Sequence, residues 1–206
     1  MFRAGHIAVE GPRGVGKTTL AKLLAERFSA RLVTAPHNPF SDGEKQPFQA
    51  QLYRLLSSYQ AKEELAQEDL FARGVVSDHL FGCQEIYAEV DLSRDELLLY
   101  RKVHALLDEQ LPRPDLIVYL QARPDVLLAR LKKQRPEGKI VAKSYLEKLG
   151  SAYSDYFFLH SDSPVLVVNT SEIDFVDDKK QAEELIAVIG QKKRSGVSHY
   201  SPLGSR

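Results

Sequence analysis

The chain contains a single cysteine, Cys83, among its 206 residues. One cysteine excludes an internal disulfide and a zinc site built from several cysteines. No apolar run is long enough to cross a membrane, and the first residues lack the hydrophobic segment of a secretory signal peptide. We therefore expect a protein of the cytoplasm that has no membrane partner.

An excess of charge of either sign is also absent. Lysine and arginine total 28, aspartate and glutamate total 28, and the formal net charge is zero. Proteins that bind nucleic acid through its phosphates have a basic surface, so this balance argues against nucleic acid as a partner. A hydrophobic content of 43% and a charged content of 27% are typical of a soluble globular protein.

The stretch from Gly11 to Thr19 matches the phosphate-binding pattern G-x-x-x-x-G-K-[ST] at every fixed position. Its glycines allow a tight turn whose N–H groups point at phosphate oxygens. Lys17 adds a positive charge beside the β- and γ-phosphates, and the hydroxyl of Thr18 is a suitable Mg²⁺ ligand. The residues expected to bind the triphosphate in this loop are Gly11, Arg13, Gly14, Val15, Gly16, Lys17, Thr18 and Thr19.

Apolar patterns on both sides of this loop indicate alternating strands and helices. Strands are expected at residues 6–10, 31–34, 75–78, 116–120 and 165–168. Helices are expected at residues 17–28, 49–71, 96–111, from 124 onward, 142–159 and 181–189. This order predicts an α/β fold with a five-stranded parallel sheet and helices on both faces. We expect one domain over residues 1–190 and a flexible tail over residues 191–206.

Ligands of such sheets bind at the carboxyl ends of the strands. That rule places the phosphate-binding loop, residues 34–40, Asp78 and the loop after Asn169 on one rim. Asp78 ends the third strand, where an aspartate can assist Mg²⁺ together with Thr18. The alternative role for Asp78 is to form a turn.

Several stretches in the same order resemble the bacterial deoxyribonucleoside kinases, over about residues 5–190. They are residues 7–12 ahead of the loop, Asn38-Pro39-Phe40, Phe48-Gln49, residues 75–78, residues 111–116 and residues 174–176. The resemblance implies a P-loop kinase fold and a homodimer. It also implies transfer of the γ-phosphate of ATP or another nucleoside triphosphate, with Mg²⁺, to the 5′-hydroxyl of a deoxynucleoside, which we expect to be a purine deoxynucleoside.

The resemblance implies roles at the acceptor and at the transferred phosphate. Gln49 would hydrogen-bond the base, since its amide offers a donor and an acceptor. Asp78 and Glu137 would bind the substrate, with Glu137 on the sugar. Arg135 would stabilise charge on the moving phosphoryl group and, with Lys17 and Asp78, complete the catalytic set. A solvent-exposed Gln49, and a solvated basic helix end at residues 132–135, are the alternatives.

On the donor side, the resemblance places Asp174 and Phe175 beside the adenine of ATP. For Phe175, a place in the hydrophobic core is the alternative.

The sequence departs from the family pattern mainly at the acceptor. Residues 33–37 contain no acid, although the family has a glutamate there that accepts the proton of the 5′-hydroxyl. The stretch between Asn38 and Gln49 is short and lacks the family tyrosine. The lid is one residue short, and a family arginine falls at Lys133 or Gln134.

Two other functions therefore stay open. One is a nucleotide-binding partner subunit or regulator with weakened catalysis, which the missing glutamate favours. The other is a nucleoside monophosphate kinase.

If the protein is a deoxynucleoside kinase, another residue must replace the missing glutamate as the general base for the 5′-hydroxyl. The candidates are Asp78, Asp42, Glu44, His79 and His37.

Overall fold

The computed structural model describes residues 5–37, 39–40, 46–66, 74–108, 113–134, 141–159, 163–191 and 195–201, with backbone only for 62–66. The strands are β1 (His6–Glu10), β2 (Arg31–Val33), β3 (Val75–Ser77), β4 (Leu116–Gln121), β5 (Val165–Asn169) and β6 (Val197–Tyr200). The helices are α1 (Lys17–Phe28), α2 (Pro47–Ala66), α3 (Gln84–Asp91), α4 (Arg94–Asp108), α5 (Pro124–Gln134), α6 (Lys143–Leu159) and α7 (Lys179–Ile189). A 3₁₀ turn at Phe81–Cys83 precedes α3.

The six strands form one parallel sheet in the order β2-β3-β1-β4-β5-β6. After β3 the chain moves to the other side of β1 to form β4. Beside β1, connections therefore leave the sheet in opposite directions, which is where α/β sheets bind ligands.

Strand residues alternate between two hydrophobic clusters, because successive side chains point to opposite faces. In β1, Ile7 and Val9 join one cluster while Ala8 joins the other. In β5, Leu166 and Val168 lie on the first face, with Val165 and Val167 on the second. Both faces are covered, which explains why these strands read as continuous apolar runs.

The prediction of an α/β fold with a parallel sheet and helices on both faces is confirmed, but the predicted number of five strands is wrong. The sixth strand, β6, lies within residues 191–206, where we expected a flexible tail. Its N-terminal end is bonded through the Val165 N–H, which donates to the carbonyl of Gly196 at 2.9 Å. Within β6 only Tyr200 packs against the core, and Val197 is 41% exposed, so the segment has no hydrophobic run to reveal it.

Helix α3 also has no counterpart among the predicted elements. It is only eight residues long, and it follows β3 through the 3₁₀ turn without a capping side chain at Cys83. Its buried residues are Gln84, Ile86 and Ala88. One buried glutamine and two apolar residues give too little pattern to predict a helix. None of the described helices has the length and hydrophobicity required to span a membrane.

Candidate nucleotide-binding and phosphoryl-transfer site

The glycines of the phosphate-binding loop are required by both conformation and space. Gly11, Gly14 and Gly16 have positive φ angles of 146°, 84° and 105°. A Cβ atom on Gly11 would lie 2.1 Å from the carbonyl oxygen of Leu120, and one on Gly16 would lie 2.6 Å from the ring of Phe175. A side chain at either position would displace the loop from β4 or from Phe175.

Helix α1 begins directly after this loop. Its N-cap is Gly16, in the left-handed conformation, so no side chain at that position covers the first N–H groups of the helix. Free N–H groups and the positive end of the helix dipole favour a bound phosphate.

The ammonium group of Lys17 is held by carbonyl oxygens of the same loop. Its Nζ donates to the oxygen of Gly11 at 2.6 Å and to that of Pro12 at 3.4 Å. A phosphate oxygen is a stronger, charged acceptor than either carbonyl. Lys17 is therefore positioned to exchange these bonds for one to a bound triphosphate.

Asp78 and Thr18 meet at the carboxyl end of β3. The Thr18 hydroxyl donates to Oδ2 of Asp78 at 2.6 Å, and the Ala35 N–H donates to Oδ1 at 2.6 Å. Nδ1 of His79 lies 3.5 Å from Oδ1, an electrostatic contact longer than a good hydrogen bond. Burial acts to raise the pKa of Asp78, but the His79 ring and the two hydrogen bonds hold it below its ordinary value.

The pair fits the Mg²⁺ ion that the phosphate-binding loop implies. Asp78 is an ionised carboxylate, and Thr18 supplies the hydroxyl that this loop offers to the ion. Mg²⁺ usually takes one or two protein oxygens, and the substrate phosphates and water complete its shell.

The loop after β5 is fixed by Arg130 of α5, a residue that the sequence analysis did not single out. The Arg130 guanidinium donates to Oγ1 of Thr170 at 3.0 Å, to its carbonyl at 2.7 Å and to the carbonyl of Ile173 at 3.3 Å. Burial lowers the pKa of Arg130, and the charge of Asp174 acts in the opposite direction. An arginine inside an amphipathic helix reads as a surface residue, so the sequence carries little signal for this role.

Asp174 and Phe175, predicted beside the adenine, have different surroundings. Asp174 is exposed, and its Oδ1 accepts the N–H groups of Val176 and Asp177 at 3.1 and 2.9 Å. Phe175 is 2% exposed and belongs to the core cluster that includes Val15. The Phe175 ring therefore supports the phosphate-binding loop from inside the protein.

On the acceptor side, the two glutamines near the start of α2 differ in exposure. Gln49 is exposed, whereas Gln51 is 3% exposed and its amide donates to Oδ2 of Asp91. Arg54 donates to Oε1 of Gln51 at 3.3 Å, and its guanidinium lies 4.7 Å from the ring centroid of Tyr87. Burial raises the pKa of Asp91, and its hydrogen bonds act in the opposite direction.

Several predicted site residues lie outside the described part of the chain. They are Arg135 and Glu137 of the lid, Asn38, and the candidate bases Asp42 and Glu44. Of the other candidate bases, His37 is exposed and His79 is 3% exposed. Residues 34–37, which follow β2, are described and contain no acid. This stretch therefore offers no carboxylate to act as the base.

Glu10 is a second residue that the sequence analysis missed. It ends β1, is 3% exposed and accepts three hydrogen bonds, from Gly11, Leu80 and Tyr153. The sequence signal that could have identified Glu10 is a charged residue at the end of an apolar strand, immediately before the phosphate-binding loop.

Comparisons with known proteins agree with this geometry. A model of the deoxynucleoside kinase family matches residues 7–193. The chain is 34% identical to the deoxyguanosine kinase of Bacillus subtilis, over 92% of this chain and 98% of that protein. It is 32% identical to the deoxyadenosine kinase of Dictyostelium discoideum, over 88% of this chain and 78% of that protein.

Among solved structures, a deoxyadenosine kinase from M. mycoides with bound dCTP superposes with a TM-score of 0.72. The two sequences are 22% identical, and the match covers 89% of this chain and 98% of that chain, which supports the fold. The family match spans the phosphate-binding loop, Asp78 and the loop after β5. This chain belongs to the deoxynucleoside kinase family.

Proposed function

We propose that this protein transfers the γ-phosphate of ATP, with Mg²⁺, to the 5′-hydroxyl of a purine deoxynucleoside. As a member of its family, it is a phosphotransferase with an alcohol acceptor that uses a nucleoside triphosphate. The names of the Bacillus and Dictyostelium relatives support a purine acceptor. The observation that carries the proposal is the 2.6 Å contact of Thr18 with Asp78 beside the phosphate-binding loop.

The donor side orients the triphosphate. N–H groups of the loop and of the first turn of α1 bind the β- and γ-phosphates, and Lys17 moves from the Gly11 carbonyl to the γ-phosphate. Thr18 and Asp78 would hold the metal, which would neutralise charge on the phosphates. Asp174, on the loop that Arg130 fixes, would lie beside the adenine, and the buried Phe175 ring supports the phosphate-binding loop at Gly16.

In the transfer itself, the 5′-oxygen forms a bond to the γ-phosphorus, and the bond from this phosphorus to the β,γ-bridging oxygen breaks. ADP leaves, and the hydroxyl proton passes to a base or to water. Such transfer depends mainly on positioning and charge stabilisation. In this chain Asp78 serves as the carboxylate near the attacking oxygen, and Arg135 and Glu137 act from the lid on the phosphoryl group and the sugar.

A second candidate function is a nucleotide-binding partner subunit or regulator with weakened catalysis. The lack of an acid in residues 34–37, beside Asp78, favours it. Thr34→Glu returns a carboxylate to this stretch, at an exposed position. A deoxynucleoside kinase with an eroded base gains turnover in this variant, whereas a regulator without an acceptor pocket gains none.

We also propose a homodimer of cytoplasmic chains, each with one catalytic domain over residues 1–190. Three leucines of α4, Leu98, Leu99 and Leu106, are 52%, 52% and 71% exposed, and Leu56 of α2 is 45% exposed. Exposed apolar side chains on helices commonly mark a subunit interface. The mass in solution at micromolar concentration tests the dimer, and a monomeric mass contradicts it.

The activity is tested with purified protein, ATP, Mg²⁺ and a panel of nucleosides, with product identified by chromatography. We expect deoxyadenosine or deoxyguanosine to give 5′-monophosphates, and the corresponding monophosphates to give no diphosphates. Phosphorylation of monophosphates alone identifies a monophosphate kinase. ATP binding without any acceptor turnover identifies the regulator.

A further inference from the structure

The carboxylate of Glu10 joins three segments around the phosphate-binding loop. Its Oε2 accepts the Gly11 N–H at 2.8 Å and the Tyr153 hydroxyl at 3.0 Å. Its Oε1 accepts the Leu80 N–H at 2.9 Å. Gly11 begins the loop, Leu80 lies two residues after Asp78, and Tyr153 belongs to α6.

Glu10 acts as an acceptor in each of these bonds, so they favour its ionised form. Burial raises the pKa of Glu10, while the charge of Lys17 and the hydrogen bonds act in the opposite direction. A carboxylate taken out of water is costly unless its oxygens are satisfied. Two backbone N–H groups and a fully buried tyrosine hydroxyl provide that compensation.

The position of Glu10 in the sheet explains what these bonds accomplish. The pairing of β1 with β3 ends at Ala8 and Ser77, whereas β1 continues to pair with β4 as far as Glu10 and Tyr119. Beyond Ser77, ladder hydrogen bonds therefore no longer tie Asp78 to β1. The Glu10 side chain spans this opening, because it bonds both to Gly11, which directly follows β1, and to Leu80 beyond Asp78.

Two of the three segments that Glu10 joins, those of Gly11 and Leu80, must be aligned for Thr18 to meet Asp78. We propose that Glu10 is a positioning residue that sets the distance between the phosphate-binding loop and Asp78. This inference rests on the proposed function, since the alignment serves the metal-bound triphosphate. Glu10 touches no reacting atom and acts through the backbone of Gly11 and Leu80.

The test variant is Glu10→Gln, which keeps the size of the side chain. A glutamine side chain has one carbonyl oxygen and one NH₂ group. The NH₂ group must therefore face the N–H of either Gly11 or Leu80, and one hydrogen bond is replaced by a contact between two donors. We expect kcat to fall about tenfold, with the KM for the deoxynucleoside changed less than about twofold. Tyr153→Phe removes one of the three bonds and leaves both backbone bonds, so we expect a smaller loss of kcat in the same direction.

Tyr119→Phe is the matched control. Tyr119 is buried and stacks on Tyr153 with ring centroids 5.8 Å apart, but its hydroxyl lies near Ser154, at 3.5 Å. This variant therefore removes a buried hydroxyl from the same aromatic cluster without removing a bond to Glu10. We expect it to retain the wild-type kcat.

A binding measurement separates this inference from the proposed function. The Kd for ATP is measured with and without Mg²⁺ on wild type, Glu10→Gln and Tyr153→Phe. We expect the gain in affinity from Mg²⁺ to shrink at least about threefold in Glu10→Gln, with metal-free affinity preserved. This holds even if the wild type phosphorylates no nucleoside, a result that would contradict the proposed function alone.

The inference is overturned if Glu10→Gln melts at a lower temperature but keeps both the wild-type kcat and the wild-type response to Mg²⁺. Glu10 would then only stabilise the fold. If Glu10→Gln does not fold, kcat and the effect of Mg²⁺ on the Kd for ATP are compared between Tyr153→Phe and Tyr119→Phe. The inference is overturned if both quantities are the same in these two variants.

Discussion

The donor and acceptor sides of the rim are fixed in different ways. On the proposed donor side, the phosphate-binding loop takes its geometry from the backbone, with glycines at positive φ and a helix start without a capping side chain. The Arg130 side chain fixes only the loop after β5. On the proposed acceptor side, side-chain contacts are prominent, because the amide of the buried Gln51 donates to the carboxylate of the half-buried Asp91. A site formed by backbone tolerates sequence change around it, whereas a pocket formed by side chains changes when one of those side chains is replaced.

The largest expected effect is on the donor side, in Lys17→Ala. Removal of the ammonium beside the γ-phosphate should lower kcat about a thousandfold, because this charge acts on the transition state. The Tm should stay near that of the wild type, since the two bonds of Lys17 are to carbonyls of its own loop. Steady-state kinetics measure the loss, and Lys22→Ala, at an exposed position of the same helix, is the control. Equal kcat in the two variants would contradict the assignment of the loop.

If Asp78 both binds the metal and lies near the attacking hydroxyl, as proposed, Asp78→Asn should lower kcat about a hundredfold. The pKa of Asp78 lies below its ordinary 3.8, so the carboxylate is ionised throughout pH 5–9. A wild-type rate profile over that range should therefore show no titration of Asp78. The stability that this group contributes is present above pH 3.8 and is lost as the pH falls through the folded pKa. Turnover that survives Asp78→Asn would show that another residue is the catalytic carboxylate.

The two glutamines of α2 sharpen the comparison on the acceptor side. If Gln49 binds the base, Gln49→Leu should raise the KM for the deoxynucleoside about tenfold, because the polar atoms of the base lose their hydrogen bonds to the glutamine amide. If the buried Gln51 does so, Gln51→Leu has that effect and Gln49→Leu has little. The KM for ATP should change in neither variant. A larger change in the KM for ATP than in that for the nucleoside would place these glutamines outside the acceptor pocket.

The smallest expected effect concerns the donor loop. Arg130→Ala frees the carbonyls of Thr170 and Ile173 and should raise the KM for ATP about fivefold, with the KM for the deoxynucleoside unchanged. Arg123→Ala is the control, because Arg123 forms a 3.2 Å ion pair with Glu172 in which both side chains are exposed. Exposed ion pairs contribute little. An equal change in both variants would mean that the loop does not depend on Arg130.

The sequence predicted the parts of this molecule that follow from local pattern. The phosphate-binding loop, β1 and α1 have the predicted limits, because glycine spacing and apolar runs determine them. Strand β6 was missed because its stability comes from pairing with β5 rather than from its own hydrophobicity. The contacts of Glu10 with Leu80 and Tyr153, and those of Arg130 with Thr170 and Ile173, join residues 40 or more positions apart, and the local sequence pattern does not predict which distant residues meet.

The most direct test is a reaction of the purified protein with [γ-³²P]ATP, Mg²⁺ and either deoxyguanosine or deoxyadenosine, with Lys17→Ala alongside. We predict label in the 5′-monophosphate of at least one of these nucleosides, and about a thousandfold less in the variant. Label found only as inorganic phosphate, or equal product from both proteins, would contradict a deoxynucleoside kinase acting through this site.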